Sequence, residues 1–380
     1  MIVISITIVL FLIYSCLIIY YRQSWLQIPI SNKQLAIGNT LSTSISIIIP
    51  ARNEEENIYG CLESVISQTY PKNLFEVIVV DDFSTDNTPE IVNSYAKKNV
   101  TLISLKDFIN EVEINSYKKK AIEIAISKAK GDLIVTTDAD CIVPNLWLQT
   151  IALFYEKHYP AFISAPVSYY GENNFLQIFQ SLDFMTLQGI TGASVYKKFH
   201  SMCNGANLAY EKKAFLEVGG FAGIDNIASG DDMLLMHKVF EYFPERVLFL
   251  KSPDAIVQTK PAETLKEFLN QRIRWASKAD RYTDKKITAV LSLVYLFNIW
   301  IFFLGILSIF YPSVFLWFLG VLIAKTTVEL FFIYPVAIFF KKEKLLWWFP
   351  LAQPFHILYT IVAGGLGKFG SYKWKERKVK

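Results

Sequence analysis

The chain has 380 residues, of which 52% are apolar and 15% aromatic but only 19% charged, against about 25% charged in soluble domains. That balance excludes disorder, a collagen-like fibre and a disulfide scaffold, and it argues against a purely soluble protein. The net charge of +4 decides little until it is placed along the chain. Residues 1–21 carry no charge before Arg22, and about 20 apolar residues cross a bilayer. The start has no basic residue, and Trp25 and Pro29 follow in place of a small-residue cleavage site. Residues 1–21 are therefore expected to be an uncleaved anchor.

Next comes a stretch of soluble composition. Ser44–Ile49 is a β-branched run ending at Pro50 and reads as a buried strand. Ile58, Cys61, Leu62, Val65 and Ile66 recur at helical spacing. Phe75–Val80 is a second buried strand, ending in Asp81-Asp82. Thr88–Lys97 reads as a helix and Val100–Ser104 as a third strand. Lys118–Lys130 reads as a helix, and Asp132–Thr136 as a fourth strand ending in Asp138-Ala139-Asp140. Strand and helix alternate four times, which predicts an α/β fold with a mostly parallel sheet. Ligands of such sheets bind beyond the carboxyl ends of the strands. Pro50–Glu54, Asp81-Asp82 and Asp138–Asp140 all follow strands directly. No GxGxxG follows the first strand and no GxxxxGK[ST] occurs, which disfavours a dinucleotide fold and a P-loop ATPase. Two carboxylates at Asp-x-Asp spacing suit a hard divalent cation that keeps positions open for substrate phosphates. Both Mg2+ and Mn2+ accept such oxygen ligands. Cys16, Cys61, Cys141 and Cys203 form no CxxC, and the four histidines share no spacing, so no structural zinc site is expected.

Phe175–Met185 is expected to be a short interfacial helix, and so is the segment at about 263–279, where Leu265, Phe268, Leu269, Ile273 and Ala276 show helical periodicity. Residues 287–310 are uncharged, and 313–340 are apolar apart from Lys325 and Glu329. These two lie four residues apart on one helix face. They read either as a self-neutralised pair or as a contact for a polar lipid headgroup. Residues 345–367 are uncharged but contain Pro350, Pro354 and three glycines. Residues 287–367 are therefore expected to be a membrane bundle of two spans plus a third segment that spans or re-enters. Basic flanks mark the cytoplasmic side of a membrane. Arg22, Arg281, Lys285, Lys286 and the Lys341–Lys344 loop place the soluble stretch in the cytosol, as a multi-pass protein of the cell membrane. The basic tail 368–380, with six basic residues and one acidic, belongs on the same side only if the third segment re-enters.

The motifs resemble a known family. SIIIPARNEEENIYGCLESVISQTYPKNLFEVIVVDDFSTDNT, KKKAIEIAISKAKGDLIVTTDADCIVP, GANLAYEKKAFLEVGGF and SGDDMLLMHKV are similar, in order and spacing, to a family 2 glycosyltransferase of GT-A fold. Gln271, Arg274 and Trp275 match the Gln-x-x-Arg-Trp motif of its membrane-embedded members, including cellulose-synthase-like and ceramide-glucosyltransferase-like enzymes. The resemblance covers about residues 44–280. It implies that Asp82 holds the nucleoside, with Pro50, Arg52 and Glu54 lining that pocket. It places Lys118 toward the nucleotide diphosphate, although Tyr117 stands where the family has glycine, and Lys118–Lys120 also read as a solvated helix start. Asp138 and Asp140 become the divalent-metal motif, Asp140 making the direct contact. Asp232 becomes the general base, next to Asp231 where the family has glutamate; the pair also suits a helix N-terminus. Gln271 and Arg274 close over the diphosphate and Trp275 stacks on the acceptor, or serves as an interfacial anchor.

The implied activity is an inverting transfer of a sugar from a nucleotide-sugar donor to a membrane-associated lipid or glycan acceptor, with Mg2+ or Mn2+ as cofactor and no nucleic acid partner. No second carboxylate completes a retaining pair. A processive polysaccharide synthase and an inactive nucleotide-sugar-binding membrane protein are the alternatives.

Overall fold

The computed structural model describes residues 2–31, 41–109, 116–200, 202–227, 230–277, 284–369, 372–374 and 377–379, with side chains from 3 to 367. In chain order its elements begin with α1 (Ile2–Gln27), β1 (Ile45–Ala51), α2 (Ile58–Ile66), β2 (Phe75–Asp81), α3 (Thr88–Asn93), β3 (Val100–Ser104), α4 (Tyr117–Lys128) and β4 (Leu133–Thr136). They continue with α5 (Trp147–His158), β5 (Phe162–Ser164), β6 (Val167–Tyr169), α6 (Phe175–Tyr196), β7 (Leu208–Glu211), α7 (Lys212–Glu217) and α8 (Met233–Tyr242). β8 (Val247–Phe249), β9 (Val257–Thr259), α9 (Leu265–Ala276), α10 (Lys285–Phe310), α11 (Pro312–Phe340) and α12 (Phe349–Phe369) follow. The chain divides into two compact units, one holding α1, α6 and α9–α12, the other holding β1–β9 and the remaining helices.

The strand unit is built on a seven-stranded sheet of order β3-β2-β1-β4-β7-β5-β8. β1, β2 and β4 are largely apolar runs buried along most of their length, the usual signature of parallel strands covered on both faces. β2 and β4 flank β1 in parallel, with Ala51 beside Asp81 and Ile48 beside Thr136. β7 runs antiparallel to both β4 and β5, so the sheet is mixed on that side and mostly parallel overall. α2 buries Ile58, Cys61, Leu62 and Val65, and α4 buries Ala121, Ile122, Ala125 and Ile126, the faces expected from helical spacing. Each isoleucine, leucine or valine among them contributes about 1.5–3 kcal/mol on burial. Gly131 sits where β4 approaches β1; a Cβ there would lie 2.4 Å from the Ser46 nitrogen, so only glycine permits this approach. Strand order reverses around β1, which makes the crevice beyond β1 and β4 a topological switch point.

In the helical unit, Val3–Gln27, Lys285–Phe310, Pro312–Phe340 and Glu343–Gly367 are long and apolar enough to cross a membrane. The 21-residue α12 runs on through Pro354. The side chains of the basic tail, and Arg281, lie outside the described residues. Lys325 and Glu329 form a closed network: Lys325 Nζ lies 2.7 Å from Glu329 Oε1 and donates to Gln353 Oε1 at 2.8 Å. Gln353 Nε2 and the Tyr14 hydroxyl donate to Glu329. Lys325 is fully buried, so the pair is self-neutralised and ties α1, α11 and α12 together. α6 takes in the expected helix Phe175–Met185 and extends it to Tyr196. It runs 22 residues and buries Phe179 through Met185, then Gln188, Gly189 and Thr191–Val195. Small residues in its second half explain this: a Cβ on Gly189 would lie 2.7 Å from Val336.

Candidate active site

The strand unit gathers its acidic residues at the carboxyl edge of the sheet. Lys118, in the first turn of α4, sits among them. Its Nζ lies 2.7 Å from Asp138 Oδ1 and 3.2 Å from Asp231 Oδ2, with 22% of the side chain exposed. Burial by itself would favour the neutral amine, but Asp138, then Asp231 and Asp232, override it and hold Lys118 charged well above the usual lysine range. One cation thus links the Asp-x-Asp loop after β4 to the Asp231-Asp232 pair before α8.

Asp232 is the N-cap of α8. Its Oδ1 accepts from Met233 N at 2.7 Å and its Oδ2 from Gly205 N at 3.1 Å. The carboxylate thus caps α8 and also faces the Lys118 cluster. Gly205 packs against it; a Cβ there would lie 3.4 Å from Lys118 Nζ and 3.5 Å from Asp231 Oδ2. Asp140 Oδ2 accepts from Thr259 Oγ1 at 3.2 Å. Thr259 is brought there by the bridge between Ile142 and Gln258, whose backbone hydrogen bonds are 2.8 and 2.9 Å. Thr259 does not stand out in the sequence, since three-residue strands carry no pattern, and Gly205 opens the GANLAYEKKAFLEVGGF stretch without showing there that it meets Asp232.

Asp138 and Asp140 are both half-buried. Among the described residues no three His, Cys, Asp or Glu side chains converge into a cation cage. The donor set therefore fits Mg2+ or Mn2+ only in the manner these ions commonly adopt, with one or two carboxylates and the rest from water and substrate phosphates. Cys61 and Cys141 lie close by but do not supplement them. Burial pushes both thiols up, and Asp140 and Asp138 push them further; soft thiols are in any case poor partners for such hard cations.

The β1 and β2 ends form the neighbouring part of the edge. Asp82 is 3% exposed. Arg52 Nη1 donates to the carbonyls of Asp82 and Phe83 at 2.8 and 3.1 Å and lies 4.0 Å from Asp82 Oδ1. Pro50 is half-buried at the penultimate position of β1, beside Val80. Glu54 accepts from Asn57 Nδ2 at 2.9 Å, while its own N–H donates to Thr88 Oγ1 at 2.8 Å, a loop-bracing position. Asn53, with φ of 50°, joins the two loops: its N–H donates to Ser84 Oγ at 3.0 Å and its Oδ1 accepts from Thr85 N at 2.9 Å.

Gln271, Arg274 and Trp275 lie on α9 of the helical unit. α9 opens with a capping box of Thr264 and Glu267. The residue inside the motif that sequence reading passed over is Arg272. It is buried, 2.7 Å from Asp183 of α6, each side chain 4% exposed. Asp183 also accepts from the Tyr359 hydroxyl of α12. The Arg272 guanidinium lies 4.3 Å from the Trp275 ring centroid and 4.9 Å from that of Phe268. An aspartate inside the apolar run FLQIFQSLDFM was the available hint, because such acids are rarely buried unpaired.

Residues 46–219 match glycosyl transferase family 2, and residues 133–363 match glycosyl transferase family group 2. A probable glycosyltransferase, YdaM of Bacillus subtilis, is 27% identical over 64% of this chain and 57% of its own length. A dolichyl N-acetyl-alpha-D-glucosaminyl phosphate glucuronosyltransferase of Methanococcus voltae, which acts with a diacetamido-dideoxy sugar, is 37% identical over 24% of this chain and 27% of its own length. The chain thus spans a little over half of the first relative and about a quarter of the second. Among solved structures, the mannosyltransferase PcManGT of Pyrobaculum calidifontis, in complex with GDP-Man and Mn2+, superposes with a TM-score of 0.59 at 19% identity, covering 96% of each chain. With more than half of its length matched, the chain belongs to glycosyl transferase family group 2 and carries the GT-A fold.

Proposed function

We propose that the protein is an inverting glycosyltransferase that moves one sugar from a nucleotide-sugar to a lipid acceptor at the cytoplasmic face of a membrane. The observation that carries this reading is the convergence of Asp138, Asp231 and Asp232 on Lys118 at a sheet edge that also presents Asp82 and Arg52. Four candidate spanning helices and a relative that acts on a dolichyl phosphate support a lipid acceptor.

In this reading Asp82, Pro50 and Arg52 hold the nucleoside, Glu54 braces their loop, and Lys118 faces the diphosphate. A divalent cation held by Asp138 and Asp140 supplies charge neutralisation to the leaving diphosphate. Asp232 is fixed by two backbone N–H groups, which orient its carboxylate to receive the acceptor hydroxyl. That hydroxyl oxygen forms a bond to the anomeric carbon while the bond from that carbon to the diphosphate oxygen breaks. The proton passes to Asp232 and the nucleoside diphosphate departs with the electron pair. Attack opposite the leaving group inverts the anomeric centre. Gln271 and Arg274 are assigned to the diphosphate and Trp275 to the acceptor by the motif they form.

The test incubates vesicles containing the full chain with labelled nucleotide-sugars and Mn2+ or Mg2+, followed by lipid extraction and mass spectrometry. A lipid gaining one hexose-type unit of inverted configuration supports the reading. A polymer overturns it in favour of a synthase, and nucleotide binding without transfer overturns it in favour of an inactive sensor.

A further inference from the structure

The donor end of the site holds a feature that the proposed function does not use. Phe83, the first residue past Asp82, has φ of 53°. A bulky side chain in the left-handed region is a genuine outlier, and its cost of about 1–3 kcal/mol is tolerated where function demands the conformation. The strain has a visible consequence. It turns the Phe83 ring toward Tyr117, with centroids 6.2 Å apart and planes at 88°, while the Phe83 carbonyl remains tied to Arg52 Nη1 at 3.1 Å. Both rings stay half-exposed. Tyr117 immediately precedes Lys118, so the first turn of α4 presents an aromatic ring toward the β2 end and an ammonium toward Asp138 and Asp231.

We propose that Phe83 and Tyr117 form an aromatic corner that takes the planar base of the donor nucleotide and sets which base is accepted. This rests on the nucleotide-sugar reading above. The perpendicular rings offer one face for stacking and one edge for the rim of the base, an arrangement favoured by the ring quadrupole. The adjacent Asp82 carboxylate accepts a hydrogen bond, and Lys118 lies further along for the phosphates. Base and diphosphate would then lie on successive residues of one helical turn.

The experiment is calorimetric titration of the full chain in detergent with UDP, GDP, CDP and dTDP, and with inorganic pyrophosphate as the baseless probe. Phe83→Gly removes the ring and relieves the strain. It should melt no lower than the native chain, yet weaken its preferred nucleotide about ten-fold, as expected for one lost stacking partner, with pyrophosphate affinity unchanged. Tyr117→Leu keeps bulk without the aromatic face and should also flatten the ranking of the four bases. Equal nucleotide affinity in native chain and Phe83→Gly overturns the corner while leaving the nucleotide-sugar reading intact. A native chain that binds none of the four nucleotides overturns both.

Discussion

Breaking the pair between Asp183 and Arg272 should be among the most damaging single changes in the helical unit outside its packed apolar core. Their charged groups are 2.7 Å apart with each side chain 4% exposed, so neither ion recovers water when the other is removed. Removing one partner of a buried pair costs about 3–5 kcal/mol, whereas replacing the whole pair by apolar groups is often neutral. Arg272→Met strands the Asp183 carboxylate, which keeps only the Tyr359 hydroxyl and the His356 ring at 3.9 Å; a loss of about 3 kcal/mol is expected. Asp183→Leu takes the carboxylate away from a buried guanidinium that lies over Phe268 and Trp275 and donates from Nη1 to Gln271 Oε1 at 3.3 Å, and should cost about 3 kcal/mol. Combining both changes leaves the Tyr359 hydroxyl without its Asp183 acceptor, worth about 1–3 kcal/mol, and Tyr359→Phe removes that as well. The triple variant should therefore lie within about 1.5 kcal/mol of the native chain, far from the sum of the singles. The assay is SDS titration in mixed micelles, followed by fluorescence, with the variants arranged as a double-mutant cycle. Singles costing less than about 1 kcal/mol, or effects that simply add, would refute the buried-pair argument.

Three further outcomes follow from the strand unit. Asp232→Asn keeps the cap on α8 but removes the proton acceptor, so transfer should fall by about 10²–10⁴ while calorimetric nucleotide affinity stays within about two-fold; a matching loss of binding would show that Asp232 serves the fold instead. Chelation with EDTA should abolish transfer and Mn2+ or Mg2+ restore it, because Asp138 and Asp140 alone leave the diphosphate charge unbalanced; activity that survives dialysis against EDTA sinks that assignment. Lys251 is 5% exposed and burial lowers it to about 8, against roughly 10.4 in an unfolded chain. The folded state thus binds fewer protons between about pH 8 and 10.4, so stability rises with pH across that window, and a penalty of about 3 kcal/mol applies in full below pH 8. The native Tm measured against Lys251→Met should climb from pH 7 to pH 10; a flat difference would show that Lys251 titrates normally.

How much of this could be read from sequence depends on what makes each feature visible. β1, β2 and β4 announce themselves because burial on both faces forces largely apolar runs, and Asp82 and Asp138–Asp140 stand out because polar residues end those runs where a sheet presents ligands. β7 does not: four residues, LAYE, carry too little alternation to show that they enter antiparallel between β4 and β5. Pairings across the chain are hidden for a deeper reason. Lys118 reads equally well as a solvated helix start, and only the tertiary approach of Asp138 and Asp231 decides otherwise. Asp183 shows the limit most sharply. An acid in the middle of an apolar helix demands compensation, because its unpaired burial would cost more than most domains have to spare. Sequence therefore states that a partner exists. It cannot state which, since Lys342 and Arg274 carry the same charge as Arg272. The choice is made by packing: α9 brings Phe268 against Phe179 and Tyr359, with centroids 5.6 and 5.3 Å apart, and a Cβ on Gly367 of α12 would come within 2.6 Å of Ala276. Those apolar contacts fix the rotation of α9, and the rotation points Arg272 inward. The charge pair is thus a consequence of the hydrophobic fit. For that reason an apolar substitute should preserve the helix while a lone charge should not.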